Sequence, residues 1–142
     1  MDRKELAASI ARVSRLEGDF LLRSGAHSTL YFDKYRFESD PTLLRAIAEH
    51  LAQLIPTGID ALAGLDLGGV PLATALSLHT GLPTLFIRKQ AKEYGTCQLA
   101  EGGAISGRRL LVIEDVVTSG GQVVESCAHC ERLAPTWITP SV

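Results

Sequence analysis

The chain has 142 residues, of which 46% are hydrophobic and 21% are charged, and its formal net charge is −2. These values are typical of one globular domain that is large enough to form a hydrophobic core. The weakly acidic balance argues against a nucleic-acid-binding surface, so an anionic small molecule would need a local basic cluster. No apolar stretch is long enough to span a membrane and the first residues do not resemble a signal peptide, so we expect a cytoplasmic protein with no membrane partner.

The beginning of the chain predicts a helix followed by two short strands. Apolar residues from Leu6 to Leu16 recur at helical spacing, and Gly18 is a natural helix stop. Strands are predicted near Phe20–Leu22 and Thr29–Phe32, joined by a tight turn. Arg23 at this turn is either a phosphate contact or an ordinary surface arginine. Such a strand pair in front of the main pattern suggests a small hood and not a second domain.

Alternating helices and strands follow, and they predict a parallel sheet with helices on its faces. Asp40–Pro41 is a strong helix start, because aspartate can cap a helix and proline suits its first position. The later predicted elements are a strand near Asp60–Ala63, a helix at Val70–Thr80, strands at Thr84–Ile87 and Leu110–Ile113, and a helix at Gln122–Leu133. Ligands of such sheets bind at the carboxyl ends of the strands.

The stretch Leu110–Gly121 is the strongest candidate for ligand binding. It contains a buried strand, the acidic pair Glu114 and Asp115, a small hydroxyl-rich loop and a helix start. Backbone N–H groups and the helix dipole can bind a phosphate there, and the carboxylates can accept sugar hydroxyls. From spacing alone, an ordinary turn with two solvated acids is an equally good interpretation. Gly68–Gly69, after an earlier strand, is either a second phosphate loop or simple turn chemistry.

A long loop over residues 88–107 carries the dense basic cluster of the chain. The cluster consists of Arg88, Lys89 and Lys92, and Tyr94 follows it. Loops of this length are usually functional or disordered. We therefore expect a lid that closes over an anionic ligand, with a disordered basic loop as the alternative.

Three cysteines, an odd number, do not make a disulfide framework. Cys127 and Cys130 have the spacing of a zinc-binding pair, but a closed zinc site needs four ligands and the chain has no second pair of cysteines. A zinc role and a pair of reduced thiols on a helix both remain open, and the thiols are the simpler interpretation.

Four motifs resemble the orotate phosphoribosyltransferases of the type I phosphoribosyltransferase superfamily. The stretch VIEDVVTSGG is similar to the superfamily's motif for phosphoribosyl pyrophosphate (PRPP), and Gly18–Gly25, Ser28–Asp33 and Arg88–Thr96 resemble the orotate enzymes more narrowly. The resemblance implies an α/β fold of the type I phosphoribosyltransferase kind in a single domain over residues 1–142. Its parts would be a hood over about residues 1–36, a core over about 37–134 and a tail over 135–142. Family members normally continue with further strands, so the resemblance also implies a truncated C-terminal end.

The activity implied by the resemblance is the reaction of orotate with PRPP and Mg²⁺. Its products are orotidine 5′-monophosphate and pyrophosphate, in a step of de novo UMP synthesis. Family members work as homodimers in which residues of the mobile loop act across the interface. A non-catalytic or truncated PRPP- or nucleotide-binding protein is one alternative, and a purine-type phosphoribosyltransferase is another.

The resemblance also implies which residues bind PRPP. Glu114 and Asp115 match the acids that hold the ribose hydroxyls, and Asp115 forms the implied catalytic set with Arg88 and Lys92, the cations for the departing pyrophosphate. The implied PRPP-binding residues are Arg23, Arg88, Lys89, Lys92, Tyr94, Glu114, Asp115, Val116, Val117, Thr118, Ser119, Gly120, Gly121 and Gln122.

The implied orotate-binding residues are Tyr31 and Phe32, which match an aromatic pair beside the orotate ring, and Thr118. No side-chain ligand for Mg²⁺ is expected, because the ion usually binds through substrate phosphates and water. The chain departs from the family at Leu67–Gly69, where many relatives have a lysine. A pyrophosphate contact there would have to come from the backbone or would be absent.

Overall fold

The computed structural model describes residues 1–22, 24–89, 99–117 and 120–133. Its elements in chain order are α1 (Arg3–Ser14), β1 (Arg15–Leu21), β2 (His27–Phe32), α2 (Tyr35–Glu38), α3 (Pro41–Ala52), β3 (Ala61–Leu65), α4 (Gly69–Thr80), β4 (Thr84–Ile87), β5 (Ala100–Glu101), β6 (Leu110–Ile113) and α5 (Gly121–Leu133). The first two strands form an antiparallel pair, and the other four form one sheet in the order β5–β4–β3–β6. In these described segments, no helix combines the length and the apolar character needed to cross a membrane.

Strand β3 lies at the centre of the sheet. It pairs in parallel with both β4 and β6, and all five of its residues are buried. The carboxyl ends of three parallel strands therefore meet at one edge, as the α/β prediction required. The short strand β5 is antiparallel to β4, so the sheet is mixed. A two-residue strand inside a long loop has no periodicity to detect, which is why the sequence did not reveal it.

Helices cover both faces of this sheet. On one face, α3 and α4 pack over a buried cluster that includes Leu62, Leu72, Leu76, Leu111 and Ile113. On the other face, Val123 of α5 packs against a second cluster formed by Ala61, Ala63, Leu65, Leu85, Ile87, Leu99, Ala100 and Leu110. Strands that are buried on both faces are apolar throughout, and this explains the continuous hydrophobic runs in the sequence.

Helix α1 and the hairpin β1–β2 form the hood. Asp2 caps α1 by accepting hydrogen bonds from the backbone N–H groups of Lys4 and Glu5. The helix ends at Ser14, so the prediction that it continues through Leu16 to a stop at Gly18 is wrong. Leu16 instead pairs with Tyr31 across the hairpin. The apolar spacing is the same for the end of a helix and the start of this strand, and tertiary pairing decides between them.

The hood is joined to the core by α2 and α3. The N-terminus of α3 is as predicted, since the Asp40 side chain accepts from the backbone N–H groups of Thr42 and Leu43 and Pro41 is the first helical residue. The single-turn helix α2 was not predicted, because four residues are too few to show a helical period. Its residue Phe37 is 6% exposed and packs in a cluster with Leu6 and Leu43, so α2 is anchored between α1 and α3.

A close approach between β3 and α4 determines where the loop between them lies. An added Cβ at Gly64 would lie 2.9 Å from both the Ala73 Cβ and the Gly69 carbonyl oxygen. Such a contact is shorter than packed atoms tolerate, so only glycine lets the helix start directly over the strand end. The N-terminus of α4 is therefore held at the carboxyl edge of the sheet.

We predict that Gly64→Ala lowers the free energy of unfolding by about 1–3 kcal/mol, because the methyl group meets backbone that cannot move aside without shifting α4. Urea unfolding measures this change. Leu78→Ala is the control, since Leu78 is 84% exposed and its truncation should change the free energy by less than about 0.5 kcal/mol. Equal effects of the two substitutions would contradict the close approach.

Candidate active site

The predicted sugar-phosphate stretch lies at the carboxyl edge of the sheet. Strand β6 ends at Ile113, and Glu114, Asp115, Val116 and Val117 follow it before α5 begins at Gly121. Val116 and Val117 are 43% and 62% exposed, so the backbone after the acidic pair is accessible from outside. The Gly120 carbonyl accepts the Val124 N–H at 2.9 Å, as expected at a helix start. The order of strand, acids, loop and helix is therefore as the sequence predicted.

The Gly68–Gly69 loop lies directly against this stretch. A Cβ at Gly68 would overlap the Asp115 carboxylate, and a Cβ at Gly69 would overlap the Ile113 carbonyl oxygen. The two glycines thus allow the βα loops after β3 and β6 to touch. The Asp66–Leu67 peptide bond in the same loop is cis. The second candidate phosphate loop is beside the first, at one edge of the sheet.

The Asp115 carboxylate is enclosed and paired with a lysine. Lys34 Nζ lies 2.6 Å from Asp115 Oδ2, and the Asp115 side chain is 0% exposed whereas that of Lys34 is 30% exposed. Asp115 Oδ1 accepts the backbone N–H of Val116 at 2.8 Å. Glu114 turns back over the backbone, and its Oε1 accepts the Asp115 N–H at 3.1 Å. Oδ2 is positioned for an ion pair, but no hydrogen bond of regular geometry reaches it.

A second buried acid, Glu38, belongs to the same cluster. Glu38 is 6% exposed, and neither of its carboxyl oxygens has a hydrogen-bond partner of regular geometry. Its backbone N–H points to the Lys34 carbonyl oxygen at 3.3 Å, so the two residues are one helical turn apart. Glu38 and Asp115 nevertheless interact strongly enough to shift the pKa values of both carboxyl groups.

Burial and mutual interaction separate the pKa values of these groups. Burial, followed by interaction with Asp115, raises the pKa of Glu38 to about 8, and the same two causes raise the pKa of Glu114 to about 7. Burial also acts to raise the pKa of Asp115, but interaction with Glu114, Lys34 and Glu38 outweighs it and lowers the pKa to about 2. The pKa of Lys34 is raised, because the pairing with Asp115 outweighs burial. Of the three acids, Asp115 therefore holds a negative charge most readily.

Arg88 directly follows β4, which lies on the opposite side of β3 from β6 and the acidic pair. Its Nε is 3.3 Å from Glu101 Oε1, and both residues line a cleft of about 290 Å³ with Asp66, Val70, Phe86 and Ile87. The Arg88 N–H donates to the Leu99 carbonyl at 2.9 Å, which closes the base of the long loop. An anion in this cleft would meet the guanidinium beside the turn that follows β3.

The aromatic pair predicted for base binding lies on β2. Tyr31 and Phe32 are 44% and 49% exposed. Tyr31 stacks on Phe20 with ring centroids 5.4 Å apart, and Phe32 contacts Phe37 at 6.4 Å. Each ring is therefore in contact with another ring and remains partly exposed, as a residue that stacks on a planar ligand would be.

Several predicted residues lie outside the described part of the chain. These are Arg23, Lys92, Tyr94, Thr118 and Ser119, and the side chain of Gln122 is also not described. Lys89 is described and exposed. Among the cysteines, Cys127 is buried in α5, and the alternatives of zinc ligands and reduced thiols stay as predictions.

The sequence prediction missed Lys34 and Glu38. Lys34 lay within the predicted hood and Glu38 within the predicted core, and neither was assigned a role. Their spacing of four residues is a weak signal that they share a helix face. The acid that they face follows β6, much later in the chain, and nothing in the sequence indicates this contact.

A comparison with protein families identifies the family of this chain. The model of the phosphoribosyl transferase domain matches residues 36–139. The chain belongs to this family. The phosphoribosyl transferase match covers the acidic pair, the glycine loop beside it and the basic loop, and it confirms the superfamily resemblance of the sequence motifs.

The relatives within the family are orotate phosphoribosyltransferases. The chain is 58% identical over 118 residues to the orotate phosphoribosyltransferase of a Nocardioides species, a match that covers 83% of this chain and 66% of the relative. The chain spans 58 to 66% of the length of the first curated relatives that it matches. These matches confirm the narrower resemblance to the orotate enzymes.

Solved structures of the same enzymes share the fold. A Mycobacterium tuberculosis orotate phosphoribosyltransferase in complex with Fe(III) dicitrate has a TM-score of 0.84 and 30% identity, and the match covers 97% of this chain and 81% of that one. The same enzyme in complex with 5-phospho-α-D-ribosyl 1-diphosphate, which is PRPP, has a TM-score of 0.79 and 27% identity, with 97% and 79% covered. The predicted phosphoribosyltransferase fold is thereby confirmed.

We predict that Glu38→Gln stabilises the protein at pH 8 by about 1–3 kcal/mol, because the wild-type carboxyl must lose its proton inside a buried acidic cluster. A carboxyl with a raised pKa favours the folded state at low pH. Its contribution is lost between the unfolded value of 4.5 and the folded value of about 8. The advantage of the glutamine variant should therefore shrink as the pH falls towards 5.

Urea unfolding at pH 5 and pH 8 measures this difference. Glu49→Gln on the exposed side of α3 is the control and should change the free energy of unfolding by less than about 0.5 kcal/mol at either pH. A glutamine variant of Glu38 that is less stable than the wild type at pH 8 would show that the buried carboxyl is required as an anion.

Proposed function

We propose that the chain is an orotate phosphoribosyltransferase, which transfers the 5-phosphoribosyl group from PRPP to orotate and releases pyrophosphate. The observation that carries the proposal is the enclosed acidic pair at the sheet edge. It lies against a glycine loop, across from Arg88, in a chain whose relatives are orotate phosphoribosyltransferases. Orotidine 5′-monophosphate would be the product, and the step would belong to pyrimidine synthesis in the cytoplasm.

The loop after β6 would hold the ribose 5-phosphate. Backbone N–H groups between Val116 and Gly121 and the N-terminus of α5 suit a phosphate, because they supply donors and a positive dipole end. Glu114 and Asp115 would accept the ribose hydroxyls. Thr118 and Ser119 would complete this loop, as the family motif implies.

The cleft beside Arg88 would hold the pyrophosphate. In the reaction the bond from ribose C1′ to the pyrophosphate oxygen breaks, and a bond from C1′ to a ring nitrogen of orotate forms. Negative charge grows on the departing group, so Arg88 and Lys92, with Lys89 and Tyr94 nearby in the chain, would stabilise it electrostatically. The Gly68 and Gly69 backbone would supply donors where other family members have a lysine. No covalent intermediate with the protein is needed.

Mg²⁺ would enter this site with the PRPP phosphates. Among the described residues, no group of three or more His, Cys, Asp or Glu side chains is placed to hold a metal by itself. Asp66 and Glu101 line the cleft beside Arg88, and their oxygens suit Mg²⁺ when substrate phosphates and water supply the other ligands. When bound, the ion would neutralise charge on the leaving pyrophosphate.

The orotate ring would lie on the exposed faces of Tyr31 and Phe32. Two aromatic residues with supported rings favour a flat aromatic base. The similarity of this pair and of the basic loop to the orotate enzymes argues against the purine-type alternative. A non-catalytic PRPP-binding protein is the second candidate. The chain spans only part of the length of its curated relatives, so catalysis has to be tested directly.

The decisive experiment incubates the purified chain with orotate, PRPP and Mg²⁺ while orotate absorbance is followed. We expect orotate to be consumed only when PRPP is present, with orotidine 5′-monophosphate identified by chromatography. Binding of PRPP without consumption of orotate would contradict the enzyme and leave the binding protein. Failure to bind PRPP would contradict both.

We predict that Lys92→Ala lowers kcat by about 100-fold or more and changes the KM for PRPP much less, because the lysine would act on charge that develops in the transition state. Steady-state kinetics with varied PRPP measure the two constants. Lys4→Ala, at an exposed position of α1, is the control and should leave both unchanged. An unaltered kcat in the Lys92 variant would remove that residue from its proposed role.

We further propose a homodimer in which the basic loop of one subunit completes the site of the other. Lys92→Ala and Asp115→Asn should each be inactive, but a refolded equal mixture should regain about a quarter of wild-type activity, since hybrid dimers contain one intact site. Activity after mixing and the mass in solution by light scattering measure this. A mixture as inactive as its components would contradict a loop that acts across the interface.

A further inference from the structure

A lysine of the segment before α3 faces the buried carboxylate of Asp115. Lys34 Nζ reaches Asp115 Oδ2 at 2.6 Å, and the Asp115 side chain is 0% exposed. Lys34 directly precedes α2 and follows the β1–β2 hairpin. This ion pair therefore connects the segment after the hood with the PRPP motif.

The contacts of Asp115 leave its carboxylate little freedom. The backbone N–H of Val116 holds Oδ1 at 2.8 Å, the Gly68 Cα lies where any larger residue would overlap the carboxylate, and Lys34 holds Oδ2. Only Lys34 among these supplies a full positive charge. A buried carboxylate without such a partner would become protonated or rotate away.

We infer that Lys34 is a positioning residue for PRPP binding: it orients Asp115 and compensates its negative charge. The inference rests on the proposed role of Asp115 as an acceptor of ribose hydroxyls. It concerns a residue of the segment that joins the hood to α3, outside the loops that touch PRPP in the proposed function.

The charge balance explains why Lys34 is needed. Among the described residues, the cluster contains Glu38, Glu114 and Asp115 against one lysine, and PRPP itself is strongly anionic. Without Lys34, Asp115 would share protons with its neighbours and would be a poorer acceptor for a sugar hydroxyl.

A double-mutant cycle tests whether Lys34 acts through Asp115. Calorimetry with PRPP and Mg²⁺, without orotate, gives the Kd for the wild type, Lys34→Met, Asp115→Asn and the double variant. We expect Lys34→Met to raise the Kd about tenfold through loss of the charge-assisted contact. In the Asp115→Asn background the same change should matter less than about twofold, since the shared interaction is already lost.

Two control variants separate this role from general charge and packing effects. Arg36→Met removes an exposed positive charge from α2, which directly follows Lys34, and should leave the Kd within about twofold of wild type. Lys34→Arg keeps the charge and should stay within about threefold. Circular dichroism and thermal unfolding of each variant establish that it is folded, and Lys34→Gln replaces Lys34→Met if the methionine variant does not fold.

In turnover assays the effect of Lys34→Met should appear in the KM for PRPP, with kcat changed less than about threefold, because the ion pair supports ground-state binding.

Equal effects of Lys34→Met in the presence and absence of the Asp115 carboxylate would overturn the inference and indicate a direct contact of Lys34 with PRPP. A tighter Kd for Lys34→Met would also overturn it. A wild type that binds PRPP without consuming orotate removes the proposed enzyme and leaves the cycle decisive, whereas a wild type that does not bind PRPP overturns both.

Discussion

The buried charge of Asp115 is the constraint on which the site depends. A carboxylate with no exposed side-chain surface must be compensated where it lies, and Lys34 at 2.6 Å supplies the compensation. The lysine belongs to the segment that follows the β1–β2 hairpin, so the position of the hood and the charge state of the acidic pair are physically linked. Burial, followed by interaction with the Asp115 carboxylate, raises the pKa values of Glu38 and Glu114.

Small residues make this compact arrangement possible. Gly64 lets α4 start over the end of β3, Gly68 lies against the Asp115 carboxylate, and Gly69 lies against the Ile113 carbonyl oxygen. At each of the three positions a Cβ would force backbone or a buried charge to move. The two βα loops can therefore meet at one edge of the sheet, which brings the acidic pair, the backbone of the glycine loop and Arg88 around one region. A substrate with both a phosphate and a pyrophosphate group needs such a pair of adjoining loops.

The sequence predicted the core of the fold well and its connections less well. Strands Thr84–Ile87 and Leu110–Ile113 were predicted to the residue, because apolar runs of four residues between turn residues are too short for a helix. The end of α1 was wrong because Leu16 fits both a helix and a strand, and pairing with Tyr31 decided the outcome. The acidic pair was found from its motif. Lys34 and Glu38 were missed because their place in the site depends on a residue far along the chain, which local spacing cannot indicate.

The short distance in sequence between Tyr31–Phe32 and Lys34 has a consequence for specificity. The residues proposed to recognise the base and the residue that compensates the sugar-binding acid are separated by a single position, Asp33, whose N–H is fixed to the Ser14 carbonyl at 2.8 Å. A graft that exchanges the hairpin to accept another base would displace the lysine as well. Redesign of base preference must therefore replace residues 27–38 as one unit. A change in the base-binding residues would otherwise also change the residue that supports ribose binding.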